Sequence, residues 1–205
     1  YRKDLNIHCH SCPVSELCLA HGVTPEILDW LDQTILLVKI FEPGDHLFHS
    51  NQKMTHAFAL RSGTCKEYSI DKDGKEYVRE FYSAGDIVGL EYANEKNCPP
   101  FSTIATQPTM ACMIPIQIIQ QPKPALYPRL FNLICQKLKH QHIYQHTTNA
   151  KKRVAAFFIA LIDREKSKKR HNQSVIQLQL SNLDISRKIG IAQETLCRVL
   201  QEFSM

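Results

Sequence analysis

Between Ile35 and Pro115, segments rich in Val, Ile, Phe and Tyr are broken by turn formers: Pro43-Gly44-Asp45, Ser62-Gly63-Thr64, Asp73-Gly74 and Ala84-Gly85-Asp86. Glycine at these points allows the positive φ angles that tight turns require. Several short strands at this spacing predict an all-β barrel or sandwich. The rest of the chain is read as attachments before and after that body.

Helical signals flank it. Thr24-Pro25-Glu26 has the form of a helix start, with a Thr cap, Pro in the first turn and an early Glu. The short helix would carry Ile27, Leu28, Trp30 and Leu31. Pro122, Pro124 and Pro128 close the β region. Proline is tolerated at the first helical position, so a long helix is expected from Pro128 to about Asn149. On it Phe131, Cys135, Leu138 and His142 share a stripe, with Leu130 and Ile134 beside it. A long helix with a narrow apolar stripe ending in His and Gln suits pairing with a second copy. Packing on its own β domain is the other arrangement the pattern allows. The expected dimer interface is Phe131, Ile134, Cys135, Leu138 and His142.

A further helix follows, with Val154, Phe157, Phe158, Leu161 and Ile162 as its core face, then a basic linker. Val175–Leu180 alternates apolar and polar like a short strand. Ser181 then caps a helix running to about Lys188, with Ile185 and Ile189 inside. Gly190 occupies the turn where a left-handed residue is needed, and Ile191 packs beneath it. The next helix turns Leu196, Val199 and Leu200 inward. Ser186 is small, as a close helix crossing demands. This is a helix-turn-helix, whose second helix enters the major groove of DNA. Its outward face offers Gln193, Glu194, Cys197 and Arg198. Arg can grip guanine O6 and N7, Glu can accept from cytosine N4, and Thr195 suits a phosphate.

Charge agrees with a polyanion partner. From Lys151 onward the chain has eleven Lys and Arg against five Asp and Glu, a net of +6, which leaves −1 elsewhere in the total of +5. With 205 residues and 43% hydrophobic content there is enough for one large or two smaller packed domains. No apolar run approaches a bilayer span; the longest, Thr34–Phe41, is strand-sized. No membrane association and a cytoplasmic location are expected. The chain begins at Tyr1 rather than Met, so an N-terminal piece is expected to precede it.

The first twenty residues are rich in Cys and His. Cys9, Cys12 and Cys18 form C-x2-C-x5-C. A cubane [4Fe–4S] cluster needs four thiolates. The fourth would come from Cys65, Cys98, Cys112, Cys135 or Cys197. Cys197 lies on the reading helix and Cys135 on the long helix, which makes both poor choices, and spacing does not separate Cys98 from Cys112. Zinc is the main rival, because His8 and His10 flank Cys9 and Cys3His zinc sites are common. A dithiol switch is a third option. Cys65, Cys98 and Cys135 otherwise read as small buried hydrophobes.

Taken together, these stretches resemble the fumarate and nitrate reductase regulators, a branch of the cyclic-AMP receptor protein superfamily. The likeness rests on Ile7-His8-Cys9-His10-Ser11-Cys12 with Ser15-Glu16-Leu17-Cys18, Leu60-Arg61-Ser62-Gly63-Thr64, and Ala84-Gly85-Asp86-Ile87-Val88-Gly89. It continues in Cys112-Met113-Ile114-Pro115, Ile189-Gly190 and Glu194-Thr195-Leu196-Cys197-Arg198. The resemblance implies an α+β chain: a cysteine-rich cluster-binding segment (1–20), a cyclic-nucleotide-binding-like β-roll (21–124), a dimerisation helix (125–150) and a winged helix-turn-helix (151–205) cut short after the recognition helix. It implies Cys112 as fourth ligand of a [4Fe–4S] cluster. It also implies a homodimer on a palindromic duplex without oxygen, with RNA polymerase as a partner. No enzyme activity is implied; an iron–sulfur redox enzyme is disfavoured because no flavin, nicotinamide or substrate motif is present. Nucleotide-binding relatives carry an Arg-Ser pair after the Gly85 region, whereas Gly89–Ile104 contains no Arg, so no cyclic nucleotide is expected. Two departures stand out. Cys197 replaces a usual Ser or Gly, which predicts a changed base preference. Pro13 lacks an N–H that would bond a cluster sulfur, which predicts a changed oxygen sensitivity; a Pro13→Ser variant with unchanged decay would exclude that.

Overall fold

The computed structural model describes residues 8–35, 37–93, 96–140, 149–168 and 180–204. The chain divides into two compact units, Tyr1–Ser69 with Arg79–Ile134, and Ile70–Val78 with Cys135–Met205.

In the first unit the glycine-punctuated region forms eight strands: β1 (Val38–Phe41), β2 (His46–Phe48), β3 (His56–Ser62), β4 (Thr64–Ile70), β5 (Glu76–Ser83), β6 (Ile87–Val88), β7 (Ser102–Ala105) and β8 (Thr109–Pro115). They make two four-stranded sheets, in the orders β1-β8-β3-β6 and β2-β7-β4-β5. This is the expected β-roll. Its core holds Phe41, Phe48, Phe58, Leu60, Val88 and Met113, with the Phe41 and Phe58 rings edge to face at 5.7 Å. Gly63 has φ +84, and a Cβ there would lie 2.4 Å from the Pro108 carbonyl, so the β3–β4 turn requires glycine.

Strand β8 lies between β1 and β3. Side chains alternate across a sheet. Ala111 and Met113 face the core, which leaves Cys112 on the outer face. There it stands between Val38 of β1 and Ala59 of β3.

Helices complete the first unit. α1 (Pro25–Thr34) precedes the roll, α2 (Ile116–Gln120) follows it, and α3 (Tyr127–His140) comes after a 3-10 turn at Pro124–Leu126 and passes at Cys135 into the second unit. α3 thus starts one residue earlier than Pro128 suggested, because the 3-10 turn runs straight into it. Leu126 and Leu130 anchor its first turn in the core. Thr24 sits at the start of α1 without capping an amide through its side chain; its hydroxyl bonds the Glu26 carboxylate instead and lowers that group's pKa.

In the second unit α4 (Ala150–Lys168), α5 (Asn182–Ile189) and α6 (Gln193–Phe203) enclose Val154, Phe157, Ile185, Ile189, Leu196 and Val199. Arg153 Nη1 of α4 donates to the carbonyls of Ile189 (3.1 Å) and Gly190 (3.3 Å). A cation there satisfies the end of α5 and complements its dipole. No described helix is long and apolar enough to cross a membrane. Tyr1–Ile7, His142, the continuation of α3 toward Asn149 and most of the Val175–Leu180 segment lie outside the described residues.

Candidate functional site

The N-terminal cysteine segment is built of two short 3-10 turns, Cys9–Ser11 and Ser15–Leu17. Such turns leave backbone groups to be satisfied from elsewhere. At the first turn, the Cys9 amide donates to Asp32 Oδ1 of α1 at 2.6 Å. His8 Nδ1 lies 3.6 Å from Asp32 Oδ2, and His10 Nε2 lies 3.2 Å from Asp29 Oδ1. Beyond the second turn, Arg129 of α3 donates from Nε to the Cys18 carbonyl (2.8 Å) and from Nη2 to the Glu16 carbonyl (2.9 Å). Leu17 lies over Gly85, where a Cβ would come within 2.4 Å of Leu17 Cδ1. Leu19 drops into the core.

So anchored, the segment brings its cysteines to β8. Cys9, Cys18 and Cys112 all pack, half-buried, against the roll's core. Cys9 lies within electrostatic reach of Cys18 and Cys112, Cys18 of Cys112 and Cys12, and Cys112 of Cys12. The four cysteines therefore lie in one neighbourhood, near enough to feel one another's charge. Among the described residues, no three His, Cys, Asp or Glu side chains are drawn together tightly enough to hold a single metal ion.

Burial sets the protonation of these sulfurs. Burial first, then the hydrogen bond and charge of Asp32, push the Cys9 thiol far up. Burial pushes Cys18 up to about 11, partly offset by the Leu19 amide. Burial raises Cys112 as well, opposed by Arg61, whose Nη1 lies 4.0 Å from Sγ. Without a metal, Cys9, Cys18 and Cys112 stay protonated at neutral pH, so binding one there would release protons. Soft sulfur donors on a partly enclosed face fit an iron–sulfur group.

Cys65 is fully buried, as expected. Cys98 is exposed, which corrects the expectation of a buried hydrophobe: it sits in the coil before β7, where no sheet covers it. Cys135 and Cys197 are half-buried.

Inside the roll, Glu67 of β4 is fully buried and pairs with Arg79 of β5 at 3.0 Å. Tyr92 donates to Glu67 (2.9 Å) and also meets Arg79, while Tyr82 reaches both Glu67 and Glu91. Glu91 and Tyr92 stand two and three residues after Gly89, in the segment where nucleotide-binding relatives would place their phosphate-binding Arg.

The C-terminal motif has the expected geometry. Ser181 Oγ accepts from the Asp184 amide at 3.0 Å. Gly190 closes α5 at φ +69, with its amide and that of Ile191 both donating to the Ser186 carbonyl. Ser186 is buried. Gln193, Glu194 and Arg198 are exposed on α6, while Thr195 and Cys197 are half-buried. Asn182 Nδ2 lies 3.7 Å from Cys197 Sγ. On α3, Phe131 (68% exposed), Ile134 (40%) and Leu138 (55%) form an open apolar stripe. Sequence reasoning did not single out Asp32, Arg61 or Arg129. The i, i+3 spacing of Asp29 and Asp32 was a legible sign of two carboxylates on one side of α1.

A β-roll followed by a linking helix and a helix-turn-helix defines a transcription regulator of the cyclic-AMP-receptor type. The roll matches the cyclic nucleotide-binding domain model over residues 38–121. The fumarate and nitrate reduction regulatory protein of Vibrio cholerae is 31% identical, over 96% of this chain and 80% of its own length. That of Escherichia coli K12 is 30% identical with the same coverage. The anaerobic regulatory protein of Aggregatibacter actinomycetemcomitans is 30% identical, over 96% of this chain and 78% of its own length. FixK2 from Bradyrhizobium japonicum has the same fold, with a TM-score of 0.70 at 17% identity, covering 82% of this chain and 84% of that one. The chain belongs to the fumarate and nitrate reduction regulator branch of the CRP/FNR superfamily, whose members are transcription regulators and not enzymes.

Proposed function

We propose that this regulator is an oxygen-responsive DNA-binding protein of the cytoplasm, holding a [4Fe–4S] cluster on Cys9, Cys12, Cys18 and Cys112. The observation that carries the reading is that Cys9 and Cys18, from the far N-terminus, pack half-buried against the same core as Cys112 of β8. Such a cluster supplies an oxygen-labile bond between segments remote in sequence. Its four sulfurs would tie the N-terminal segment to the roll beside the start of α3. The Phe131, Ile134, Cys135 and Leu138 stripe would then meet a second copy, with His142 continuing it. A change of a few kcal/mol in that helix's packing is enough to shift a dimer equilibrium strongly.

One observation weighs against a nucleotide ligand. The buried carboxylate of Glu67 and the half-buried one of Glu91 make the roll interior unwelcoming to a cyclic nucleotide phosphate. On DNA, the two α6 helices of a dimer would read half-sites of a palindrome, with Gln193, Glu194, Cys197 and Arg198 at base edges and Thr195 at a phosphate. RNA polymerase is the partner that a promoter-bound regulator of this family would engage.

Anaerobic purification with iron and sulfide analysis tests the sensor. A coloured protein with acid-labile sulfide that bleaches in air is expected, and Cys112→Ala should lack the colour. Colourless protein carrying stoichiometric zinc overturns the cluster reading. Salt-dependent binding to a palindromic duplex tests the output. Arg198→Ala should cost about 1–3 kcal/mol at a guanine position and relax preference there.

A further inference from the structure

Arg129 is placed where three parts of the first unit meet. Leu126, in the 3-10 turn before α3, and Leu130 of α3 sit in the roll core, and Phe131 points outward with 68% exposure. The Arg129 guanidinium, half-buried, reaches back 111 residues in sequence to the Cys18 carbonyl and 113 to that of Glu16. Glu16 lies within the Ser15–Leu17 turn and Cys18 caps it, its carbonyl also accepting from the His21 amide at 3.2 Å. A planar guanidinium can hold two carbonyls at once in a fixed relation, which an ammonium cannot. The other anchors of the cysteine segment run elsewhere: Cys9, His8 and His10 to α1, and Leu17 to Gly85.

We propose that Arg129 is the positioning residue through which α3 responds to the state of the cysteine loop. The inference rests on the reading that the four thiols bind one group and that α3 pairs with a second copy. With Cys18 held among the other sulfurs, its carbonyl and that of Glu16 stay where the guanidinium needs them, and the first turn of α3 is fixed on the loop. When the sulfurs are released, Cys18 moves, the guanidinium loses acceptors in a half-buried place, and it turns toward water. The first turn of α3 turns with it, and Phe131 and Ile134 leave the alignment that faces the partner copy. Arg129 touches neither metal nor DNA; it acts through the loop's backbone.

The test uses the full chain and Arg129→Leu, Arg129→Gln and Arg129→Lys variants, each prepared with and without cluster. Iron and sulfide content and absorbance report ligation, sedimentation equilibrium reports dimerisation, and hydrogen exchange reports the amides of 16–19 and 127–133. In wild type, cluster loss should weaken dimerisation and quicken exchange in both segments together. Arg129→Leu should keep iron, sulfide and colour, yet its loaded-to-unloaded ratio of dimer constants should fall at least tenfold. Its α3 amides should exchange fast in both states. Arg129→Lys, with donors but no fork, should recover part of the ratio. Arg129→Gln serves the same comparison if the leucine variant does not fold. A variant that lowers stability equally in both states and keeps the wild-type ratio overturns the assignment. A wild-type chain whose dimerisation ignores the cluster overturns both this inference and the reading beneath it, and the two failures are thereby told apart.

Discussion

Strand parity decides which way Cys112 faces. Cys112 falls one residue from Ala111 and Met113, so the pleat turns it away from the core they occupy. Cys65 shows the opposite case: it is sealed in the core, and burial pushes its thiol from the ordinary 9.0 to about 12, with Thr109 as a weaker opposing partner. The unfolded chain would release this proton near pH 9, whereas the folded chain keeps it to about 12. The stability it contributes is intact below pH 9 and is lost as pH climbs toward 12. Its share of that alkaline decline is about 1.4 kcal/mol per pH unit. Urea midpoints of Cys65→Ala across that range should fall less steeply than those of wild type. Identical slopes would show that Cys65 ionises no differently in the two states.

Local sequence logic worked best at the level of elements. The Ser181 cap, Ser186, Gly190 and the Leu196–Val199 pair behave as their positions demanded, because each acts within one or two helical turns. Removing the cap with Ser181→Ala should cost about 1 kcal/mol of helix-turn-helix stability. Ser181→Thr should restore it, since a second hydroxyl can again accept from the Asp184 amide. A thermal midpoint unchanged in the alanine variant would mean water caps α5 equally well. Thr24 is the counterexample, for its hydroxyl turned to the Glu26 side chain, a choice between two near neighbours that propensity does not rank.

At the scale of the molecule, the open stripe on α3 is the feature a lone chain leaves unexplained. Phe131, Ile134 and Leu138 expose apolar surface within one continuous row, and such a row favours burial against a second copy. Ile134→Glu should convert a cluster-loaded dimer to monomer on sedimentation and leave the melting of the roll unchanged. If that variant dimerises as wild type does, another surface joins the copies. Inside the roll, Glu67 and Arg79 form a paired, hydrogen-bonded centre. A buried carboxylate is tolerated only with such partners.

What could be read from residue order alone was whatever depends on neighbours along the chain: strand and turn punctuation, helix caps, the reading face of α6 and the close trio Cys9, Cys12 and Cys18. Choosing between Cys98 and Cys112 on spacing was impossible, because that choice turns on which face of β8 a side chain takes and on what covers it. The engagement of His8 and His10 by α1, the Glu67–Arg79 pair and the grip of Arg129 on Glu16 and Cys18 likewise join residues far apart in sequence. Only packing the roll brings such groups within hydrogen-bond distance, so only the tertiary structure decided them.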